Sequence, residues 1–159
     1  MKPMPTRRGI ASAVAIAACL APAAAHAAPA WHEIEPAIRV HIVAALLALS
    51  AGLALLAIRR GTPLHRWLGR TYACAMLLVA AGSFWIRGPG GFSWIHALSV
   101  FTIVSIAVAW FTIRRRNGPR RVRAHAAWMI GTFVGLVSAG AFTLAPQRII
   151  GQWLVAALG

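Results

Sequence analysis

Four histidines occupy matched positions in two halves of the chain. In each half, a histidine is followed eighteen residues later by an arginine that opens a basic Gly/Pro turn, and a second histidine comes soon after that turn. The first half supplies His41 and His65, and the second supplies His96 and His125. Neutral imidazole is the commonest metal ligand among side chains, so this pattern suggests ligation of a metal ion or of haem iron.

The composition shows what kind of element must position these histidines. The 159 residues are 60% hydrophobic and only 11% charged, whereas about a quarter of a typical soluble domain is charged. So few polar residues cannot cover the surface of a soluble domain, and a disordered chain would need the opposite balance. Cys19 and Cys74 both lie in apolar runs, which excludes a disulfide framework. The sequence therefore predicts a small multi-pass membrane protein.

Four apolar segments have the length of membrane spans. A helix needs about 20 residues to cross the hydrocarbon core, and the segments cover residues 36–58, 66–86, 93–113 and 124–144. We assign residues 36–145 to the transmembrane domain and residues 28–35 to a periplasmic segment. Pro146 interrupts the last helix, and the remaining residues are too few to span. Residues 146–159 are therefore predicted to form an interfacial tail.

The N-terminal residues have the order of a secretory leader. Lys2, Arg7 and Arg8 precede a short apolar run, which ends in the small residues Ala25 and Ala27. This order predicts a signal peptide over residues 1–27. An uncleaved additional N-terminal helix is the alternative interpretation.

The distribution of charge predicts the orientation. The net charge is +14, which in a soluble protein would suggest nucleic acid, but the arginines cluster in short turns between apolar segments. With the N-terminus inside, thirteen of the sixteen Lys and Arg residues lie on the cytoplasmic side. We therefore expect a bacterial inner-membrane protein with cytoplasmic basic loops, the lipid bilayer as its main partner, and no nucleic-acid partner.

The repeat of the two halves predicts the fold class. We expect an all-α, polytopic membrane four-helix bundle built from two repeated hairpins, preceded by the signal peptide or additional helix. Parallel repeats are related by an axis along the membrane normal. That symmetry would set His41 opposite His96 near the outer face and His65 opposite His125 near the inner face. The two layers would be about 25 Å of helix apart.

Paired imidazoles on facing helices suit a bis-histidine haem in each layer, so we predict one or two b haems. Arginines at the helix ends could pair with the haem propionates, and a glycine on the face of His65 would leave room for the macrocycle. The predicted cofactor-binding residues are Arg39, Arg66, Gly69, Arg70 and Tyr72. Buried hydroxyls are expected to make interhelical hydrogen bonds; these are Ser50, Ser83, Ser99, Thr102 and Ser105.

Two strings carry a resemblance to a known family. They are HRWLGRTY at residues 65–72 and HAAWM at residues 125–129. With His41 and His96, they resemble the bacterial membrane-protein family named domain of unknown function 2306 (DUF2306), over about residues 38–145. The family name implies a membrane domain and no activity. A looser resemblance is to transmembrane di-haem b-type cytochromes, in which facing helices supply histidine pairs near each surface. In this sequence, His65 and His125 are predicted to lie at the very edge of the membrane.

The leading functional prediction is a transmembrane electron-transfer subunit that exchanges electrons with quinone or a periplasmic redox protein. A non-redox structural or partner-binding membrane module is the alternative, and a divalent-metal site is a third interpretation. The sequence carries no Ser/His/Asp set, no HExxH motif and no phosphate-binding loop. We therefore expect no stand-alone catalytic activity.

Overall fold

The computed structural model describes residues 28–86, 94–114 and 118–158, and every regular element in these ranges is helical. A short 3-10 helix spans Trp31–Glu33. The five α-helices are α1 (Pro36–Ala57), α2 (Pro63–Ser83), α3 (Trp94–Arg114), α4 (Pro119–Thr143) and α5 (Ile149–Leu158). The prediction of an all-α chain is confirmed for these residues. The predicted leader, residues 1–27, lies outside them.

The two basic turns begin their helices in the same way. Gly61 and Gly118 both have a positive φ, at 82° and 83°, which glycine adopts without the steric penalty that a Cβ brings. A proline follows at the start of each helix, where its fixed φ suits the first turn. In α2, Thr62 also caps the helix, because its Oγ1 accepts a hydrogen bond from the backbone N–H of His65 at 3.1 Å. These signals start α2 at Pro63 and α4 at Pro119, earlier than the apolar runs predicted.

Residues 29–143 form one compact unit, which holds the first four helices. Helix α1 packs on α2, α2 on α3, α3 on α4, and α4 contacts α1 again. Small residues of α1 face inward, among them Ala48 and Gly52, whereas large apolar residues such as Leu46 and Leu56 are exposed. This is the inverse of a soluble core and is typical of helices that pack closely in lipid.

Three helices are long and apolar enough to cross a membrane, namely α1, the part of α3 that covers His96–Arg114, and α4. Four spans were predicted. Helix α2 has 21 residues, which suffices for length, but it is not among the three candidates. Arg66 and Arg70 stand in its first two turns, close to Thr71 and Tyr72, and these side chains lower its mean hydropathy.

The second unit contains α5. Its described residues are Ala28 and the segment from Leu144 to Leu158. Gly151 packs against the carbonyl group of Ala145, so closely that a Cβ at residue 151 would overlap it. Helix α5 has ten residues and is apolar but short. The interfacial location of residues 146–159 stays a prediction.

Candidate histidine sites

The basic end of the four helices, where the turns before α2 and α4 lie, holds His65 and His125. We call these two residues the inner pair. His125 Nδ1 lies 3.0 Å from the carbonyl oxygen of Ala109 in α3. Because a carbonyl can only accept, Nδ1 carries the proton and donates. In the neutral ring, Nε2 is then left with its lone pair, which is the state of a metal-binding imidazole.

His65 lies in the first turn of α2. Its Nδ1 is buried and makes no hydrogen bond to any described residue. The ring lies close enough to His125 and Arg60 that a positive charge on either would act on it. Both imidazoles of the inner pair are half-buried, and Thr62 caps the helix at His65.

A hydrogen bond between α2 and α4 shows how these two helices face each other. Tyr72 Oη and Thr132 Oγ1 are 3.0 Å apart, and both residues are almost fully buried. Tyr72 follows His65 by seven residues, and Thr132 follows His125 by the same number. Seven residues are about two helical turns, or about 10 Å, so each histidine shares a helix face with its hydroxyl residue. The contact at Tyr72 and Thr132 thus turns the histidine-bearing faces of α2 and α4 toward each other.

Close packing surrounds this hydrogen bond. A Cβ on Gly52 of α1 would lie 2.5 Å from two ring carbons of Phe133 in α4 and 3.2 Å from the ring of Tyr72. Tyr72 also belongs to the main apolar cluster, which includes Ala48, Ala75 and Ile106. Helix α1 therefore packs against both α2 and α4 at the level of this hydrogen bond.

The opposite end of the helices holds His41 and His96, which we call the outer pair. His41 lines a cavity of about 80 Å³ between the four helices. Ser83, Ser99 and Thr102 also line it, and the Oγ atoms of Ser83 and Ser99 are 2.6 Å apart. His41 Nδ1 is buried without a hydrogen bond to any described residue and lies against Gly82. The cavity is therefore a small and mostly apolar space with a few polar side chains in its lining.

His96 does not line this cavity. It is 5% exposed, and its ring centroid is 5.7 Å from that of Phe84, with the planes tilted by 46°. The ring therefore packs against the aromatic side chain that ends α2. His41 and His96 lie at the same end of the molecule, but they have different surroundings.

The two layers differ in their fit to a haem. A pocket that encloses a drug-sized ligand has about 300–1,000 Å³, so the cavity of about 80 Å³ beside His41 does not accommodate a macrocycle. Its volume corresponds to about two water molecules. At the inner layer, a Cβ on Gly69 would meet no atom within 4 Å, so the space beside that residue is open. The cavity beside His41 is therefore too small for a haem, whereas the space beside Gly69, four residues after His65, is open.

The remaining predicted site residues are divided among three places. Arg66 and Arg70 are exposed at the basic end, near the inner pair. Tyr72 is in the core and bonds Thr132. Arg39 lines a separate groove on the outside of α1 and not the cavity of His41. Of the predicted cofactor-binding residues, Arg66, Gly69 and Arg70 are therefore the ones that remain close in sequence to His65.

Within the described residues, one of the predicted interhelical hydroxyl bonds is observed. Ser83 and Ser99 join α2 to α3, whereas Ser50 and Thr102 bond carbonyl groups of their own helices. Ser105 Oγ is buried without a partner among the described residues. Ala109 was missed because the bonding atom is a backbone carbonyl, and residue type gives no signal for it.

Among the described residues, no group of three or more His, Cys, Asp or Glu side chains could hold a metal ion. Protein sites for zinc use three or four such ligands. A bis-histidine haem needs only two, because the macrocycle supplies the other donors.

Comparison with known proteins identifies the family of this chain but indicates no activity. A family model described as "Predicted membrane protein (DUF2306)" matches residues 38–156. No curated protein and no solved structure matches the chain. The match extends beyond the predicted 38–145 and includes most of α5.

Proposed function

This chain belongs to the DUF2306 family of predicted membrane proteins, and we propose that it is an electron-transfer subunit that holds one b haem between His65 and His125. The observation that carries the proposal is the hydrogen bond from His125 Nδ1 to the carbonyl oxygen of Ala109, at 3.0 Å. A bond of this kind sets the tautomer and the ring orientation of a ligating histidine, because it directs the Nε2 lone pair toward the metal.

His65 is the second ligand in this proposal. It begins the helix that faces α4 through the bond between Tyr72 and Thr132, two turns away. Its buried Nδ1 has no partner among the described residues, so the ring can rotate to present either nitrogen without breaking a hydrogen bond. Thr62 holds the backbone of His65 in place through the N-terminal cap of α2.

Other side chains have supporting roles. The open space beside Gly69 leaves room for a flat group. Arg66 and Arg70 are exposed at the same end and can bind propionate groups through charge-assisted hydrogen bonds. A bound haem would supply one-electron oxidation and reduction at this end of the protein. Helices α1 and α3 contribute packing there, with Gly52 admitting the ring of Phe133 and Ala109 accepting from His125.

The proposal includes a membrane arrangement. The four helices of residues 29–143 form one bundle of two repeated hairpins that crosses the bacterial inner membrane, with α2 as the fourth span. Two features support the repeat: the positive-φ glycines before α2 and α4, and the sixty-residue offset that relates both His65 to His125 and Tyr72 to Thr132. The excess of arginine in the turns supports a cytoplasmic location for the inner pair.

A quinone in the bilayer is the electron partner that this arrangement favours. The inner pair is about 25 Å of helix away from the outer surface, and the cavity beside His41 is too small for a second macrocycle. A periplasmic redox protein would need an electron carrier across that distance. A quinone can instead approach the inner haem from within the membrane.

The test is a spectrum of the full-length protein, expressed with added haem and purified in detergent. We expect a Soret band, a reduced α band, and one haem per chain in a pyridine haemochrome assay. His125→Gly should lose the bands, and imidazole in the buffer should restore them, which a purely structural defect would not allow. His32→Ala is the matched control, because His32 is exposed in the short 3-10 helix. A colourless, folded wild-type protein would leave a structural or partner-binding module as its function.

A further inference from the structure

A second recess lies on the outer surface of the helices, away from both histidine pairs. It is a groove of about 410 Å³ along α1, closed on one side by Leu78 of α2 and at its end by the 3-10 helix. Its lining includes Trp31, Arg39, Val43 and Leu47, and it shares no residue with the cavity of His41. The groove is therefore independent of the proposed haem site.

The groove has one charged end and an apolar body. Arg39 lies in the first turns of α1, and Val43 and Leu47 follow it at intervals of four residues. From Arg39 to Leu47 is about 12 Å of helix, close to the depth of one leaflet's hydrocarbon, which is half of about 30 Å. Val43, Leu47 and Leu78 are 47–56% exposed, so the body of the groove is open to lipid.

Arg39 has no acidic partner within the described part of the chain. The nearest acids in sequence are Glu33 and Glu35, and Glu33 Oε2 accepts a hydrogen bond from the backbone N–H of Ala30. No ion pair joins either carboxylate to Arg39 among the described residues. In the membrane arrangement proposed above, on which this inference rests, the half-buried guanidinium lies at the head-group level and can bind an anion, and phosphate matches its planar fork.

Trp31 supports the location of the charged end at the head-group level. It lines the groove beside Arg39 and is 45% exposed. Indole rings settle at the boundary between head groups and hydrocarbon, where they have an apolar body and a polar N–H. The groove thus offers, in order, a cation, an interfacial aromatic ring and an apolar channel, which is the order of parts in a phospholipid.

We propose that this groove binds one anionic phospholipid of the outer leaflet. Its phosphate contacts the Arg39 guanidinium, and one acyl chain lies along Val43, Leu47 and Leu78. The charge complementarity selects an anionic lipid over a zwitterionic one, because a choline head group brings its own cation to the phosphate.

The experiment is a lipid titration of the full-length protein in detergent, read by native mass spectrometry. Phosphatidylglycerol and phosphatidylcholine serve as the two probes. We expect one phosphatidylglycerol per chain to bind in preference to phosphatidylcholine. Arg39→Gln should weaken phosphatidylglycerol binding at least about tenfold, as for loss of one charge-assisted hydrogen-bonded contact. Arg39→Lys should retain most of the preference.

Two further variants test the apolar body of the groove. Val43→Trp fills it from an exposed position and should block phosphatidylglycerol, whereas Leu46→Trp is the matched control, exposed on α1 but outside the groove. Unchanged binding in Arg39→Gln or Val43→Trp would overturn the proposal. So would displacement of the lipid by a short-chain quinone at equal concentration, because the groove would then be a quinone site.

Discussion

The inner and outer pairs contain the same side chain at matched positions in the repeat, yet they are built differently. His125 donates to the Ala109 carbonyl and has Nε2 left for binding. His41 borders a cavity whose other polar groups are hydroxyls, and His96 packs against Phe84. His125 has one ring nitrogen fixed by a carbonyl of a neighbouring helix, whereas His41 interacts with the backbone of Val79 and borders a mostly apolar cavity.

The difference also has a structural cause. Near the middle of α2 and α4, the bond between Tyr72 and Thr132 and the ring of Phe133 hold the helices in register. Toward the outer end, Ala80, Ala139 and Gly135 line the cavity, so little side-chain volume fills it. The repeat therefore predicts which positions correspond, and the local side-chain volumes decide what each position can bind.

The largest effect that would test this comparison is on haem content. The double variant His65→Ala with His125→Ala should lose all haem, because both proposed axial ligands are removed. The double variant His41→Ala with His96→Ala should keep one haem per chain. Pyridine haemochrome assays of detergent-purified protein measure both. Loss of haem in the outer variant, with the inner variant still coloured, would reverse the assignment of the two layers.

The next effect is on stability and contrasts two glycines. Gly52→Ala should lower the free energy of unfolding by about 1–3 kcal/mol, because its Cβ would overlap the Phe133 ring. Gly82→Ala should change it by less than about 0.5 kcal/mol, since the nearest atoms of His41 are 3.7 and 3.9 Å from the added carbon. Denaturation in mixed detergent, followed by circular dichroism, gives both values. Equal destabilisation by the two variants would contradict the tighter packing near Tyr72.

A smaller effect concerns the hydrogen bond between α2 and α4. Tyr72→Phe and Thr132→Val should each destabilise the protein, with a coupling energy of about 0.6 kcal/mol in a double-mutant cycle, the average for polar pairs between membrane helices. The same variants should weaken haem binding, because this bond orients the faces that carry His65 and His125. If the two substitutions add without coupling, the bond does not position α2 against α4.

The smallest effect belongs to His41. His41→Leu should lower the free energy of unfolding by about 0.5 kcal/mol, the low end for one lost hydrogen bond, because the ring interacts with the Val79 backbone while its buried Nδ1 has no partner within the described residues. The comparison variant is His125→Leu, which breaks the bond to Ala109 and should be clearly less stable. Thermal unfolding of the haem-free proteins measures the difference. A large loss in His41→Leu would show that His41 is held as firmly as His125.

Much of the helical framework could be predicted because its signals are local. Gly61 and Pro63, and likewise Gly118 and Pro119, mark the helix starts through φ preferences that do not depend on the rest of the fold. The apolar runs predicted α1, α3 and α4 as membrane helices for the same reason. Helix α2 is the weaker case, since Arg66 and Arg70 are part of the helix and not of the turn before it.

The site could be predicted only as a set of residue types. The two pairs are alike in sequence. The inner pair differs in that His125 bonds the backbone carbonyl of Ala109, and the outer pair in that His41 borders a cavity whose volume depends on several helices. Arg39 illustrates a further point. It precedes His41 by two residues, and two residues turn a helix by about 200°, so the two side chains face different directions. The structure accordingly places Arg39 on the lipid-facing groove and His41 on the inner cavity.

The small residues inside α1 have a consequence for how related sequences can diverge. Ala48, Ala51 and Gly52 are buried where the helices meet, whereas Leu46, Leu53 and Leu56 face outward. Lipid accepts any apolar side chain of similar hydropathy, so the outward positions can exchange leucine, valine, isoleucine and phenylalanine freely. The inward positions cannot gain even a methyl group where Phe133 approaches. Distant relatives are therefore best aligned on the spacing of their smallest residues, since hydrophobicity alone leaves the helical register undetermined.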